Sequence, residues 1–94
     1  MLNVKIISAV ALNSSTYTLI DLSTLAVETI MIQCRDAIDV LLANSDSPSA
    51  AYWTMKSGTS VFVGIKGRQV TAGQFVLYAK AASSTPSLEI FIVQ

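Results

Sequence analysis

Short apolar runs alternate with polar turns along the whole chain. The runs recur about every 10 residues, a spacing typical of all-β sandwiches and barrels. Asn, Ser, Asp, Gly and Pro supply the turns, and the strongest break is NSDSPS at 44–49. The pattern predicts an all-β fold, a single antiparallel β-sandwich or jelly roll of about 7–8 short strands, as one domain over 1–94. The apolar runs span 4–12, 17–20, 27–34, 38–43, 51–55, 61–65, 75–80 and 88–93.

One segment permits a helix as well as a strand. In residues 34–43, CRDAIDVLLA, Asp36 is placed to cap a helix that begins before Ile38. That helix would have only about three turns. Ile38, Val40 and Leu42 alternate equally well, as the side chains of a strand do. We favour the strand.

The strands are apolar on both faces, which is unusual for a sheet that meets water on one side. In the last run, Leu88 and Ile90 fill one face, while Phe91 and Val93 fall on the other. The same alternation places Trp53 and Met55 towards the core. The predicted outward apolar positions, and therefore the candidate subunit-contact residues, are Tyr52, Phe62, Val76, Tyr78, Phe91 and Val93.

The amino-acid composition indicates that part of the protein surface is covered by other subunits. Apolar residues make up 52% of the chain and charged residues only 13%, against about 25% in average domains. This deficit predicts that copies of the chain or a partner protein cover part of the surface. The six basic residues are scattered singly, so neither nucleic-acid binding nor a polybasic membrane contact is predicted. No uncharged apolar run approaches the roughly 18 residues of a membrane helix.

The chain lacks the residue patterns of the common catalytic sites. It contains no histidine, which removes the commonest general base and metal ligand. Cys34 is the single cysteine and is expected to act as a small core hydrophobe. Asp36 and Asp39 are the closest acidic pair, and we interpret them as turn or capping residues. We therefore predict no enzymatic activity, no catalytic residues, no metal site and no cofactor.

The second half of the chain resembles a known group of proteins. The segment TMKSGTSVFVGI, followed by VTAGQFVLYAKAASSTPSLEIFIVQ, resembles small virion proteins of tailed bacteriophages in its order of strands and turns. The resemblance covers about residues 53–94 and involves no diagnostic motif, so no functional residue is carried over. It implies a β-sandwich or jelly roll that cements or decorates a capsid, or serves as a head or tail accessory subunit.

The resemblance also implies partners and a location. Such a subunit would contact copies of itself, as a homotrimer at capsid threefold positions, and the major capsid protein or other virion subunits. It would be made in the host cytoplasm and reside in the virion. The alternative function is a carbohydrate- or receptor-binding β-sandwich module, in which an outward Tyr52 or Trp53 would stack on a sugar.

Overall fold

The computed structural model describes residues 4–20, 29–64 and 77–93, and these residues form strands joined by turns and loops. Each apolar run of the sequence contributes one strand, so the all-β prediction is confirmed. The strands are β1 (Val4–Ala11), β2 (Thr18–Ile20), β3 (Thr29–Cys34), β4 (Val40–Ala43), β5 (Tyr52–Met55), β6 (Ser60–Gly64), β7 (Leu77–Ala81) and β8 (Ser87–Val93).

The strands form two antiparallel sheets of four. The first sheet has the order β1-β8-β3-β6, and the second has the order β2-β7-β4-β5. Pairing is therefore nested along the chain, because β1 pairs with β8, β2 with β7, β3 with β6 and β4 with β5. Successive nested pairs fall in alternate sheets, which is the jelly-roll arrangement of an eight-stranded sandwich.

The core lies between the sheets and is aliphatic. Strands alternate their side chains between two faces, so every second residue of β3 and β8 points inward. Ile30 and Ile32 of β3 are buried, as are Ile90 and Ile92 of β8. The second sheet contributes smaller and more flexible side chains. The buried core residues are Leu12, Ile20, Ile30, Ile32, Val40, Leu42, Met55, Ala79, Ala81, Leu88, Ile90 and Ile92.

Residues 34–43 form a strand end, a turn and a second strand. Cys34 closes β3, residues 35–39 turn, and β4 begins at Val40. Within the turn, the Ile38 N–H donates to the Asp36 carbonyl oxygen at 2.9 Å. The favoured strand interpretation is confirmed at Val40 and Leu42 but is wrong at Ile38, which lies in the turn. Cys34 is partly buried and packs against the core, close to its predicted place.

Trp53 corrects the predicted core. Its register places it opposite Leu42, on the inward face with Met55, yet 71% of Trp53 is exposed while Met55 is buried. Both residues lie on the end strand β5, but Trp53 borders a groove at the open side of the sandwich, between β5 and β6. Met55 lies instead within the core. Alternation predicts the face of a residue, but not whether its position lies at the open side of the sandwich.

Candidate interaction surface

The outer face of the first sheet carries a row of four large apolar side chains. Pairing sets Ile6 opposite Phe91, Phe91 opposite Met31, and Met31 opposite Phe62, so the row crosses all four strands. Exposure is 63% for Ile6, 44% for Phe91, 41% for Met31 and 64% for Phe62. Neighbouring strands lie about 4.8 Å apart, so this apolar row runs roughly 14 Å across the sheet.

A row of smaller residues lies beside the apolar row, two residues further along each strand. It consists of Val4, Val93, Thr29 and Gly64, again in direct register. A Cβ atom added at Gly64 would lie 3.4 Å from Phe62 Cε1, so the Phe62 ring leans along its strand towards residue 64. The outer face therefore has a ridge of large side chains and, next to it, a shallower furrow.

Polar side chains border the ridge on its other side. Glu89, Gln33 and Ser60 form this polar row across β8, β3 and β6. The Glu89 carboxylate accepts a hydrogen bond from Gln33 Nε2 at 3.1 Å and pairs with Arg35 Nε at 3.2 Å. Arg35 Nη2 also donates to the Ser8 carbonyl oxygen. The polar residues beside the ridge therefore hydrogen-bond to one another, and the negative charge of Glu89 is paired with the positive charge of Arg35.

The structure divides the six predicted contact residues between two faces. Phe62, Phe91 and Val93 lie on the outer face of the first sheet. Tyr52 and Tyr78 lie on the outer face of the second sheet, on either side of Ala43. Val76 lies outside the described residues. The predicted set therefore does not form one surface, because the two outer faces point in opposite directions.

Two members of the apolar row, Ile6 and Met31, were not predicted from the alternation of the sequence. Both are exposed large hydrophobic residues that face outward. Alternation could have identified them, because residues two apart on a strand share a face. Ile6 is two residues from Val4, and Met31 is two residues from Thr29. Their alignment with Phe91 was not visible, because it depends on β8 lying between β1 and β3.

A second apolar feature is a groove at the open side of the sandwich, between β5 and β6. Its volume is about 440 Å³. Trp53 borders it together with Leu42, Leu77 and two valines of β6, Val61 and Val63. Tyr52 also borders this groove, although alternation directs its side chain to the opposite face of β5 from Trp53, so the two aromatic side chains do not form one stacking platform.

The acidic pair stabilises loops. The Asp36 carboxylate accepts a hydrogen bond from the Ser87 backbone N–H at 3.0 Å. The Asp39 carboxylate accepts one from the Ser57 N–H at 2.8 Å and lies 3.6 Å from Lys56 Nζ. Each carboxylate therefore ties its turn to a different neighbouring segment, as the capping interpretation expects.

Metal-binding clusters and membrane-spanning helices are both missing from the described ranges 4–20, 29–64 and 77–93. Within these ranges, no group of three or more acidic or cysteine side chains is placed to hold a metal ion. The same ranges contain no helix of the length and hydropathy needed to cross a membrane. Comparisons with protein-family models, with curated proteins and with solved structures give no match to this chain.

Proposed function

We propose that the chain is a non-enzymatic structural virion protein that stabilises a bacteriophage capsid by burying apolar surface between subunits. The observation that carries this proposal is the apolar row Ile6–Phe91–Met31–Phe62 on the outer face of the first sheet. A contiguous exposed apolar patch with a polar border is typical of a protein interaction site. Scattered single apolar residues would carry no such meaning.

The energetics of the apolar row support an assembly role. Fully burying a side chain such as Phe, Ile or Met is worth about 1.5–3 kcal/mol. The rings of Phe62 and Phe91 have few rotatable bonds and lose less conformational entropy when a partner covers them than a long flexible side chain such as Met31 does. A subunit with few charges is well suited to this role, because charged residues are depleted from the centres of interfaces.

The capsid assignment rests on resemblance and on fold analogy. The resemblance of residues 53–94 to small tailed-phage virion proteins suggests cement or decoration, with a head or tail accessory subunit as the nearest variant. Jelly rolls are common among capsid proteins, but they also occur among lectins, so the fold by itself assigns no function. Within this proposal the partners are further copies, three by analogy with threefold decoration sites, and the major capsid protein.

Phage particles that lack this subunit would test the proposal. The gene is deleted from the genome that encodes it, and the temperature at which particles release their DNA is measured with and without added purified protein. We expect deletion to lower that temperature and wild-type protein to restore it. A Phe91→Ser, Val93→Thr double variant is expected to restore it poorly. Particles that neither contain the protein nor bind it would refute the capsid role.

A second candidate, a carbohydrate-binding module, is favoured by one observation. Trp53 is highly exposed beside the apolar groove, and exposed Trp rings commonly stack on sugars. A glycan array tests it with the wild type and a Trp53→Ala variant, and Tyr78→Ala, on the outer face of the second sheet and outside the groove, serves as the control. Binding that disappears only with Trp53→Ala would support this function, and no binding by the wild type would refute it.

A further inference from the structure

We infer that the outer face of the first sheet binds the same face of a second copy across a twofold axis. The axis would lie parallel to the apolar row, between that row and the furrow of Val4, Val93, Thr29 and Gly64. The inference rests on the proposed function and names the occupant of the surface that carries it. It replaces the threefold analogy with a dimer, because a face that binds itself across a twofold axis closes as a pair. Self-complementarity, area and charge each support a second copy.

Shape is the first argument. The two rows are two residues apart on every strand, roughly 7 Å. A twofold axis midway between them exchanges the rows, so the ridge of one copy fits into the furrow of the other. On β1, β8 and β3 the large residue then meets the partner's smaller one. Phe91 faces the partner's Val93, and Met31 faces the partner's Thr29.

The contact at the edge strand β6 would differ. Phe62 would lie across the axis from the partner's Gly64, but the space over that glycine is already occupied by the partner's own Phe62 ring. Because each Phe62 ring already leans towards its own Gly64, the two rings approach each other near the axis. Sheets that pack face to face lie about 10 Å apart, which leaves space for one layer of interdigitated side chains from each copy.

The exposed apolar area is sufficient for a weakly associating pair of copies. Val4, Ile6, Met31, Phe62 and Phe91 are all exposed by more than two fifths. At side-chain areas of about 150–200 Å² they present roughly 500 Å² on each copy. Two copies would together bury about 1,000 Å², which meets the minimum for a biological interface but is below the roughly 1,200–2,000 Å² of stable ones, so we expect weak association.

Charge does not oppose the pairing of identical faces. The ridge and the furrow carry no charged side chain. The nearest carboxylate, Glu89, is on the polar row and is paired with Arg35 at 3.2 Å. Two identical faces therefore meet without opposing like charges at their centre, and the polar row remains at the rim of the contact.

A charge exchange tests the register of this pair. Met31→Lys and Thr29→Glu are prepared as separate variants, and sedimentation equilibrium measures association of each alone and of an equimolar mixture. In the proposed pair the lysine introduced by Met31→Lys would face position 29 of the other copy. Each variant alone is expected to associate about 30-fold more weakly than the wild type. Mixing is expected to recover at least about tenfold, because one lysine–glutamate contact and one native contact then form.

Controls separate assembly from folding. Tyr52→Lys on the second sheet adds the same charge to the opposite face and is expected to leave association unchanged. Circular dichroism verifies that each variant keeps its β structure. If Met31→Lys does not fold, Phe91→Lys with Val93→Glu repeats the exchange on β8, where the same twofold axis pairs those positions.

The outcomes distinguish this inference from the proposed function. The inference expects wild-type particles of twice the 10.0 kDa chain mass. It is overturned by a wild type that stays monomeric at about 1 mM, a weak-affinity limit, or by a mixture that associates no better than its components. A monomeric protein that still binds capsids would leave the capsid role intact. It would mean that this face binds a subunit of the shell instead of a second copy. A dimer that binds no capsid would support the inference and refute the capsid role.

Discussion

At the scale of single residues, two aspartates stabilise the loops of this sandwich by accepting hydrogen bonds from backbone N–H groups. Asp36 and Asp39 each accept a backbone N–H from a segment distant in sequence, at Ser87 and Ser57. A hydrogen bond from a backbone N–H to a carboxylate is worth more than one between neutral groups. An exposed ion pair such as Asp39–Lys56 contributes little, because water and salt screen it.

Asp39→Ala is therefore expected to lower the free energy of unfolding by about 1–2 kcal/mol, mainly because the Ser57 N–H loses its acceptor. Lys56→Ala is expected to lower it by less than about 0.5 kcal/mol. Urea denaturation monitored by circular dichroism measures both values. Equal losses for the two variants would mean that the ion pair, rather than the hydrogen bond, carries the stability.

Two isoleucines of the first sheet provide a comparison of burial. Ile32 is fully buried between the sheets, whereas Ile6 faces outward on the edge strand β1. Ile32→Ala is expected to destabilise the protein by about 2–5 kcal/mol, because it removes buried methyl groups and leaves a cavity. Ile6→Ala is expected to cost less than about 1 kcal/mol in a dilute sample. Thermal unfolding at low protein concentration compares them, and a larger loss for Ile6 would show that its face belongs to the core.

At the scale of elements, the connection from β5 to β6 carries the chain from the second sheet to the first. The Thr59 N–H donates to the Lys56 carbonyl oxygen at 3.1 Å, and Gly58 has a φ of 78°. These features match a type II turn with glycine at its third position. Gly58→Ala is expected to destabilise the protein by about 1 kcal/mol, through backbone strain alone, since no atom lies within 4 Å of the added Cβ.

Gly58→Asn is the matched control for that turn, because asparagine tolerates positive φ better than alanine does. Chemical denaturation is expected to show a smaller loss for Gly58→Asn. If both variants were as stable as the wild type, the turn would not require this conformation.

Alternation within each strand was sufficient to predict which residues of β8 are buried. It assigned Leu88, Ile90 and Ile92 to one face and Phe91 and Val93 to the other, and their burial agrees. Strand neighbours were not predictable, since nested pairing brings together segments from opposite ends of the chain. For that reason the candidate surface was predicted only in part. Ile6 and Met31 were missing, and Tyr52 and Tyr78 were included from the opposite face.

At the scale of the whole molecule, the two outer faces differ in character. The first sheet presents an uninterrupted apolar row with a polar border. The second sheet also carries an outward row in register, which consists of Leu19, Tyr78, Ala43 and Tyr52. Only its two ends, Leu19 and Tyr52, are highly exposed, because Ala43 is buried and Tyr78 is partly buried. Lys80 lies over the Tyr17 ring, with Nζ 4.9 Å from its centroid. A contact between the first sheets of two copies forms a closed dimer, to which no further copy can be added through the same face. Contacts that alternated the two opposite faces would instead build open stacks.

The central claim is that the outer face of the first sheet is a contact surface, and sedimentation velocity over a range of concentrations tests it most directly. Three proteins are compared: the wild type, the Phe91→Ser, Val93→Thr variant, and a Tyr52→Ser, Tyr78→Thr control on the second sheet. We expect the wild type and the control to associate as concentration rises. The first-sheet variant is expected to remain a folded monomer. A wild type that stays monomeric, with the first-sheet variant unfolded, would contradict the claim and make that face a second core layer.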